Sequence, residues 1–432
     1  MSTPPPTPTA PRSERLSADF HRFWGAGVFT NLADGMLTVA LPLIAVSLTQ
    51  DPLLVAGLTA VRFLPWLLLA PLSGVLIDRV HRMRAMVVSN TVAVLVMLGL
   101  ILTLVTGNLS VWALYAAMFA LICCETVTDP ASRIAVVQLV PARLLDRANS
   151  RVEGGRLVAQ ECLGRPVAGF LFAAGAVAPL AGIAGSYALC VLLLCAIPLV
   201  WRRSVPGDGT ASRTEGFWRS TGAGFRQVLG DPILRGNTLC NAGMMVGGNM
   251  GGAVLVLHAQ DGLGVSSALF GVFMTSAAVG GVLASLTADR AISRFGRRAV
   301  VIRGYLGIAV AYLGVALTGD PFVAFVLLTV SGYSMVVSNI AASPYYQTVI
   351  PDAVRGRVAG VSRMIGWGVT PLGAMAGGLL GRIDLALPFL LGAVIMTVTV
   401  VLARRVISET ARRADLALHE AATRPVTEEE SR

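Results

Sequence analysis

Twelve apolar runs, each about as long as a membrane-spanning helix or longer, leave this chain few folds to choose from. A spanning helix takes about 20 apolar residues, with a range of about 17–25. On that ruler the runs fall at 23–48, 53–77, 85–105, 109–140, 148–174, 178–201, 235–258, 266–288, 299–318, 321–350, 357–380 and 385–403. Several exceed it, which implies tilting, kinking or extension beyond the lipid. Pro42, Pro65, Pro130, Pro166, Pro344 and Pro371 mark kink positions, tolerated where neighbouring helices satisfy the freed carbonyls. Hydrophobic residues are 55% of the chain and charged residues 13%. A soluble chain of 432 residues would need far more charge to solvate its surface. The fold class is therefore all-α integral membrane, with twelve transmembrane helices.

The charges gather between the runs, and their order shows a duplication. Gly74-Val75-Leu76-Ile77-Asp78-Arg79 leads to Arg82 and Arg84, and about half a chain later Ser285-Leu286-Thr287-Ala288-Asp289-Arg290 leads to Arg294, Arg297 and Arg298. Gln138-Leu139-Val140-Pro141 with Arg147 is likewise answered by Gln347-Thr348-Val349-Ile350-Pro351 with Arg357. The expected organisation is a disordered cytosolic tail at 1–19, a six-helix bundle at 20–201 and a cytosolic central loop at 202–230. A second six-helix bundle at 231–405 and a cytosolic C-terminal tail at 406–432 complete it. Residues 217–229 mix aromatics and Arg as an interfacial helix would, though an ordinary linker fits as well. With the N-terminus inside, the inner loops and C-terminal tail hold nearly all the loop arginine; of the outer loops' arginines there is only Arg382. The positive-inside rule then places both termini in the cytosol. The net charge of +10 thus belongs to membrane orientation and not to nucleic acid. Lysine is absent, which suggests a GC-rich bacterial gene. The six cysteines lie inside apolar runs without metal-ligand spacing.

The Gly-x-Leu-x-Asp-Arg-x-x-Arg-x-Arg order closely resembles the signature between helices two and three of the major facilitator superfamily. Nearly the whole chain, about 20 to 405, resembles its bacterial exporters grouped with the enterobactin exporter and macrolide efflux proteins. The carrying stretches are Asn31-Leu32-Ala33-Asp34-Gly35, Val39-Ala40-Leu41-Pro42-Leu43, Leu64-Pro65-Trp66-Leu67, Ala148-Asn149-Ser150-Arg151 and Pro371-Leu372-Gly373. The resemblance implies two pseudo-symmetric bundles working by alternating access in a bacterial cytoplasmic membrane. It also implies that Gly74, Asp78, Arg79 and Arg82, echoed by Asp289 and Arg290, form a conformational latch, with Asp78 against the N-terminal end of helix eleven. Two positions depart from the pattern: His81 replaces the usual Gly, and Arg165 replaces the Gly before Pro166 in the antiporter kink of helix five.

Charges inside the membrane are costly and mark function. Asp34 lies near the middle of the first run, with Arg62 in the second as a candidate partner. Glu125, Asp129 and Arg133 stack on one face of the fourth at a spacing of four, and Glu161 and Arg165 do so in the fifth. Glu161–Arg165 and Asp129–Arg133 also read as internal ion pairs that serve packing. The second half offers neutral groups instead: Asn237 and Asn241 in the seventh run, Tyr333, Asn339 and Tyr345 in the tenth. The resemblance puts runs one, four, seven and ten around a central cavity, so an acidic wall would face a polar, aromatic one. Two carboxylates one turn apart do not readily hold two charges. Glu125 is the expected main proton site, Asp129 is coupled to it, and Asp34 is the runner-up.

The expected function is secondary active export of a small hydrophobic or amphipathic compound, coupled to protons and driven without ATP or any cofactor. Proton-coupled uptake remains an alternative. An integral-membrane enzyme would need a metal cluster, nucleophile motif or phosphate loop, and the sequence shows none. The expected partners are a small-molecule substrate, protons and the lipid bilayer, with the chain a monomer and no nucleic acid bound.

Overall fold

The computed structural model describes residues 16–79, 81–197 and 214–423, with side chains given for all of these except 70–79, 214–221, 352–353 and 421–423. All described secondary structure is helical. In the first half, α1 (Ala18–Leu48), α2 (Pro52–Arg79), α3 (Arg82–Val105) and α4 (Val111–Leu139) are single long helices. The fifth segment is broken: α5 (Leu145–Arg156) passes through a π-helical turn at Leu157–Gly164 into α6 (Arg165–Ala173). It is followed by α7 (Val177–Cys195).

In the second half, α8 (Thr214–Gly230) precedes α9 (Pro232–Leu257), and α10 (Ser267–Phe273) with α11 (Ser276–Phe295) make the eighth segment. The ninth is α12 (Arg297–Leu317) and the tenth α13 (Pro321–Pro344), extended by a π turn at Tyr345–Val349. Next, α14 (Asp352–Gly368) and α15 (Thr370–Gly381) form the eleventh, and α16 (Leu387–Thr423) the last. Among the described residues, eleven helices are long and apolar enough to cross a membrane. The twelfth segment is the broken fifth, whose charges at Glu153, Arg156, Glu161 and Arg165 lower its apolarity.

Local chemistry sets several helix starts. Ser17, Ser110 and Ser266 each cap a helix by accepting from a backbone N–H three residues on. Asp231-Pro232 and Asp320-Pro321 open the seventh and tenth segments alike. Each Asp accepts two N–H groups at 2.7 and 3.1 Å, and each Pro sits where no intrahelical donor is needed. Two of the expected kinks appear as breaks. Pro166 follows the π turn of the fifth segment, and Pro371 follows the α14–α15 break at Val369.

Helices extend beyond the expected apolar runs at three places. α1 begins at Ala18, over the buried Leu16. The central stretch holds α8, which packs on α14 through Gly224 near Val361 and Arg357. α16 continues to Thr423, with Ile407, Ala411 and Ala414 buried. That extension is held in part by Arg297, whose Nε donates to Asp415 at 2.9 Å and whose Nη1 donates to the Ala341 carbonyl at 2.7 Å.

An even number of segments puts both termini on one face, called here the terminal face. Among the described residues, the apolar core is continuous across the two halves only toward the opposite face. There Ala33–Val46 of α1, Val55 of α2 and Leu180 of α7 share one cluster with Val254 of α9, Phe270 of α10 and Ala374 of α15. Toward the terminal face the clusters are separate. One joins Phe20, Met83, Ala135 and Leu194 within the first half, and others join Val300, Val337 and Val400, or Val228, Tyr345 and Val361, within the second. Among the described residues, the halves therefore share a core at the opposite face and keep separate cores toward the terminal face.

Candidate functional site

Two seams close the opposite face. In the first, α2 meets α15: a Cβ on Gly378 would lie 2.8 Å from Leu53 Cα. In the second, α6 meets α10: a Cβ on Gly271 would lie 2.1 Å from the Arg165 carbonyl oxygen. Only a residue without a side chain lets the backbones come this close. Each seam carries one polar fastening. Arg382 donates to Asp51 at 2.8 and 2.5 Å, and Arg165 Nη1 donates to the Met274 carbonyl at 2.9 Å.

Between the seams and the terminal face lies a cavity of about 470 Å³. Its first-half wall carries Arg62 from α2, Glu125 and Asp129 from α4, and Gln160 and Arg165 from the fifth segment. Its second-half wall is apolar: Leu255 and Val256 from α9, Phe270 and Met274, and Trp367 from α14. Trp66 and Trp367, one from each half, meet edge to face at 5.1 Å between ring centroids. Trp367 also lines a second cavity of about 530 Å³ with Asn237, Asn241, Asn339, Tyr345 and Tyr346. The site is thus two lobes that share a tryptophan, one with carboxylates and arginines and one with amides, tyrosines and the two arginines Arg297 and Arg363.

The acidic wall thus faces an apolar second-half wall, and not the expected polar, aromatic one, whose amides and tyrosines line the second cavity. Glu125 and Asp129 share the charged lobe, one helical turn apart. Asp129 is exposed although it lies within the membrane-spanning length, so the lobe communicates with water. Among the described residues, neither carboxylate makes an ion pair within 4 Å. Arg133 does not pair with Asp129 there; it is exposed and off the cavity lining. Glu161 does pair with Arg165, at 2.6 Å.

Asp34 is not joined to Arg62. It accepts a hydrogen bond from the Tyr187 hydroxyl of α7 at 2.7 Å, while Thr38, one turn on, faces the cavity. The missed partner is a tyrosine in an otherwise apolar run, where a hydroxyl needs an acceptor. In the second lobe Asn237 donates to Thr410 at 2.8 Å, so its amide is partly committed to α16. Tyr333 lies outside the lobe, its hydroxyl 3.1 Å from Thr287 Oγ1.

Of the residues expected to form a latch, Gly74, Asp78 and Arg79 lie where side chains are outside the described residues, and Arg82 begins α3. In the second copy, Asp289 and Arg290 are exposed on α11. Their side chains make no hydrogen bond or ion pair among the described residues, at the face where the halves keep separate cores. Arg297, seven residues on, is the residue of that copy that holds structure.

The transmembrane secretion effector model, of the major facilitator superfamily, matches residues 7–430. Two curated relatives, uncharacterized MFS-type transporters of Mycobacterium bovis and Mycobacterium tuberculosis, are each 27% identical over 391 residues, covering 82% of this chain and 83% of the relative. Among solved structures, a bacterial homologue of the iron transporter ferroportin in an inward-facing state gives a TM-score of 0.71 at 19% identity, covering 92% of this chain and 100% of that one. The nucleoside transporter NupG gives 0.68 at 14% identity, covering 90% and 99%. At such identities these last two show the shared fold.

Proposed function

We propose that this chain, which belongs to the transmembrane secretion effector family of the major facilitator superfamily, exports a small amphipathic compound in exchange for protons by alternating access. The chain is a membrane transporter of the MFS type. The observation that carries the finer reading is the charged lobe: Arg62, Glu125 and Asp129 make no ion pair among the described residues and stand beside Trp66, Trp367, Phe63 and Phe270. Such a surface suits a molecule with an apolar, aromatic-compatible body and an ionised end.

With the arginine-rich terminal face in the cytosol, the present arrangement is inward-open. Substrate enters the charged lobe from the cytosol, the terminal side closes and the two seams part. Release to the far side is accompanied by protonation of the acidic wall, and the protonated form resets. Glu125 is the main proton carrier in this scheme, with Asp129 coupled to it. Asp34, already held by Tyr187, is placed to stabilise α1 against α7.

Everted membrane vesicles test the reading with a panel of fluorescent antibiotics and siderophores. Uptake that a protonophore abolishes is expected. Accumulation by intact cells instead would reverse the direction, and insensitivity to the protonophore would remove the coupling. For the carrier itself, purified protein should release protons on substrate addition between pH 5 and 9. Glu125→Gln should abolish that release while substrate still binds. Release unchanged in Glu125→Gln but lost in Asp34→Asn would exchange their roles.

A further inference from the structure

The guanidinium of Arg165 belongs to the first half, yet one of its hydrogen bonds is made to the second. Nη2 pairs with Glu161, one turn back on its own segment, at 2.6 Å. Nη1 donates across the seam to the Met274 carbonyl at 2.9 Å. That carbonyl lies where the eighth segment breaks: the Met274 N–H still closes α10 onto Phe270, while the Val279 N–H returns to Thr275 at the start of α11. Directly beside it, the Arg165 backbone is pressed onto Gly271. Arg165 Nε is buried with no partner among the described residues, and the side chain is only 16% exposed.

We propose that Arg165 is a positioning residue of the transport cycle, a tether whose bond to Met274 holds the two halves closed at the face opposite the termini. The physical argument is differential. Glu161 travels with Arg165 and neutralises it in either conformation, so that pair biases neither. The Met274 carbonyl belongs to the other half and is within reach only while the seam is shut. A contact made in one conformation alone shifts the equilibrium by its own energy. A charge-assisted hydrogen bond away from bulk water is strong enough to shift it by about tenfold. The proposal concerns the closed face and not the cargo, so it stands or falls separately from the export reading.

Hydrogen–deuterium exchange on the full-length protein in lipid nanodiscs, without substrate, tests it. Backbone exchange is read at both seams, over 267–273 and over 370–381. Arg165→Met, which keeps bulk and removes the donors, should raise exchange at both seams by about tenfold, because rigid-body opening exposes them together. Arg165→Lys, which keeps one charged donor, should recover part of that protection. Unchanged exchange at both seams in Arg165→Met would overturn the proposal. So would a rise confined to 267–273, which would show a local packing role. If Arg165→Met does not fold, Arg165→Lys against the parent decides: equal protection at 370–381, with higher exchange only at 267–273, also overturns it.

Discussion

At the α2–α15 seam the polar fastening is Arg382 with Asp51, whose side chains are 48% and 28% exposed. At the α6–α10 seam it is Arg165, 16% exposed, with the Met274 carbonyl. The glycine geometry of the two seams is otherwise similar, and each joins a first-half helix to a second-half helix at the same face. An exposed ion pair is screened by water and salt and pays side-chain entropy for its geometry. A bond made by a side chain as little exposed as that of Arg165 is screened less. The comparison teaches that sealing is shared, while the bias between conformations is concentrated at the interior fastening.

The glycines test the shared part, and the largest effect is expected at Gly271. Its Cβ would lie 2.1 Å from the Arg165 carbonyl oxygen and 2.9 Å from the carbon that bears it. Backbone cannot swing aside as a side chain can, so Gly271→Ala should work against the closed conformation by about 1–3 kcal/mol. Transport should fall below about a tenth of the parent rate, with exchange raised at both seams. A fully active Gly271→Ala protein would show that this seam need not close.

Gly378→Ala should have the same sign and a smaller size. Its added methyl would meet Ala56 Cβ and Leu53 Cα at 2.8 Å each, contacts that a small shift of the α2 start relieves. A loss of transport equal to that of Gly271→Ala would make the seams equivalent in rigidity and would blunt the comparison.

How much of this was legible in the sequence varies by kind of interaction. The segments were, because membrane length and apolarity are local properties. The fifth was read as one run with its charges, yet it holds a π turn, since backbone geometry leaves no count in composition. Glu161–Arg165 and the shared face of Glu125 and Asp129 followed from a spacing of four residues. Arg165 to Met274 did not, because its acceptor is a backbone carbonyl 109 residues away and any residue type supplies one. Asp34 to Tyr187 spans 153 residues; the nearer guanidinium of Arg62 looked the better partner because charge is visible in a sequence and a hydroxyl's direction is not. Trp66 and Trp367 were visible as residues but not as a pair, since each completes its half of the contact only when the bundles dock. The repeated Asp-Arg motif gave the duplication correctly. Asp289 and Arg290 nevertheless find no partner among the described residues.

The smallest effect is expected at Asp51 and Arg382, where the comparison can be sharpened by pH. Hydrogen bonds from Arg382 hold the Asp51 carboxyl below its ordinary 3.8, against a smaller opposing effect of burial. A depressed carboxyl favours the paired state fully above the ordinary value and loses that contribution as pH falls through the depressed one. The pair's share of closure should therefore be constant from pH 5 to 8 and fade only below about 3.8. Raised salt should weaken it at any pH within that range. Arg382→Ala should increase exchange over 370–381, corrected for intrinsic rate, by no more than about twofold at pH 7. Its effect should lie well under that of Arg165→Met in the same nanodiscs. An Arg382→Ala protein that opens both seams more than Arg165→Met does would reverse the assignment, making the exposed pair the principal fastening and Arg165 the accessory one.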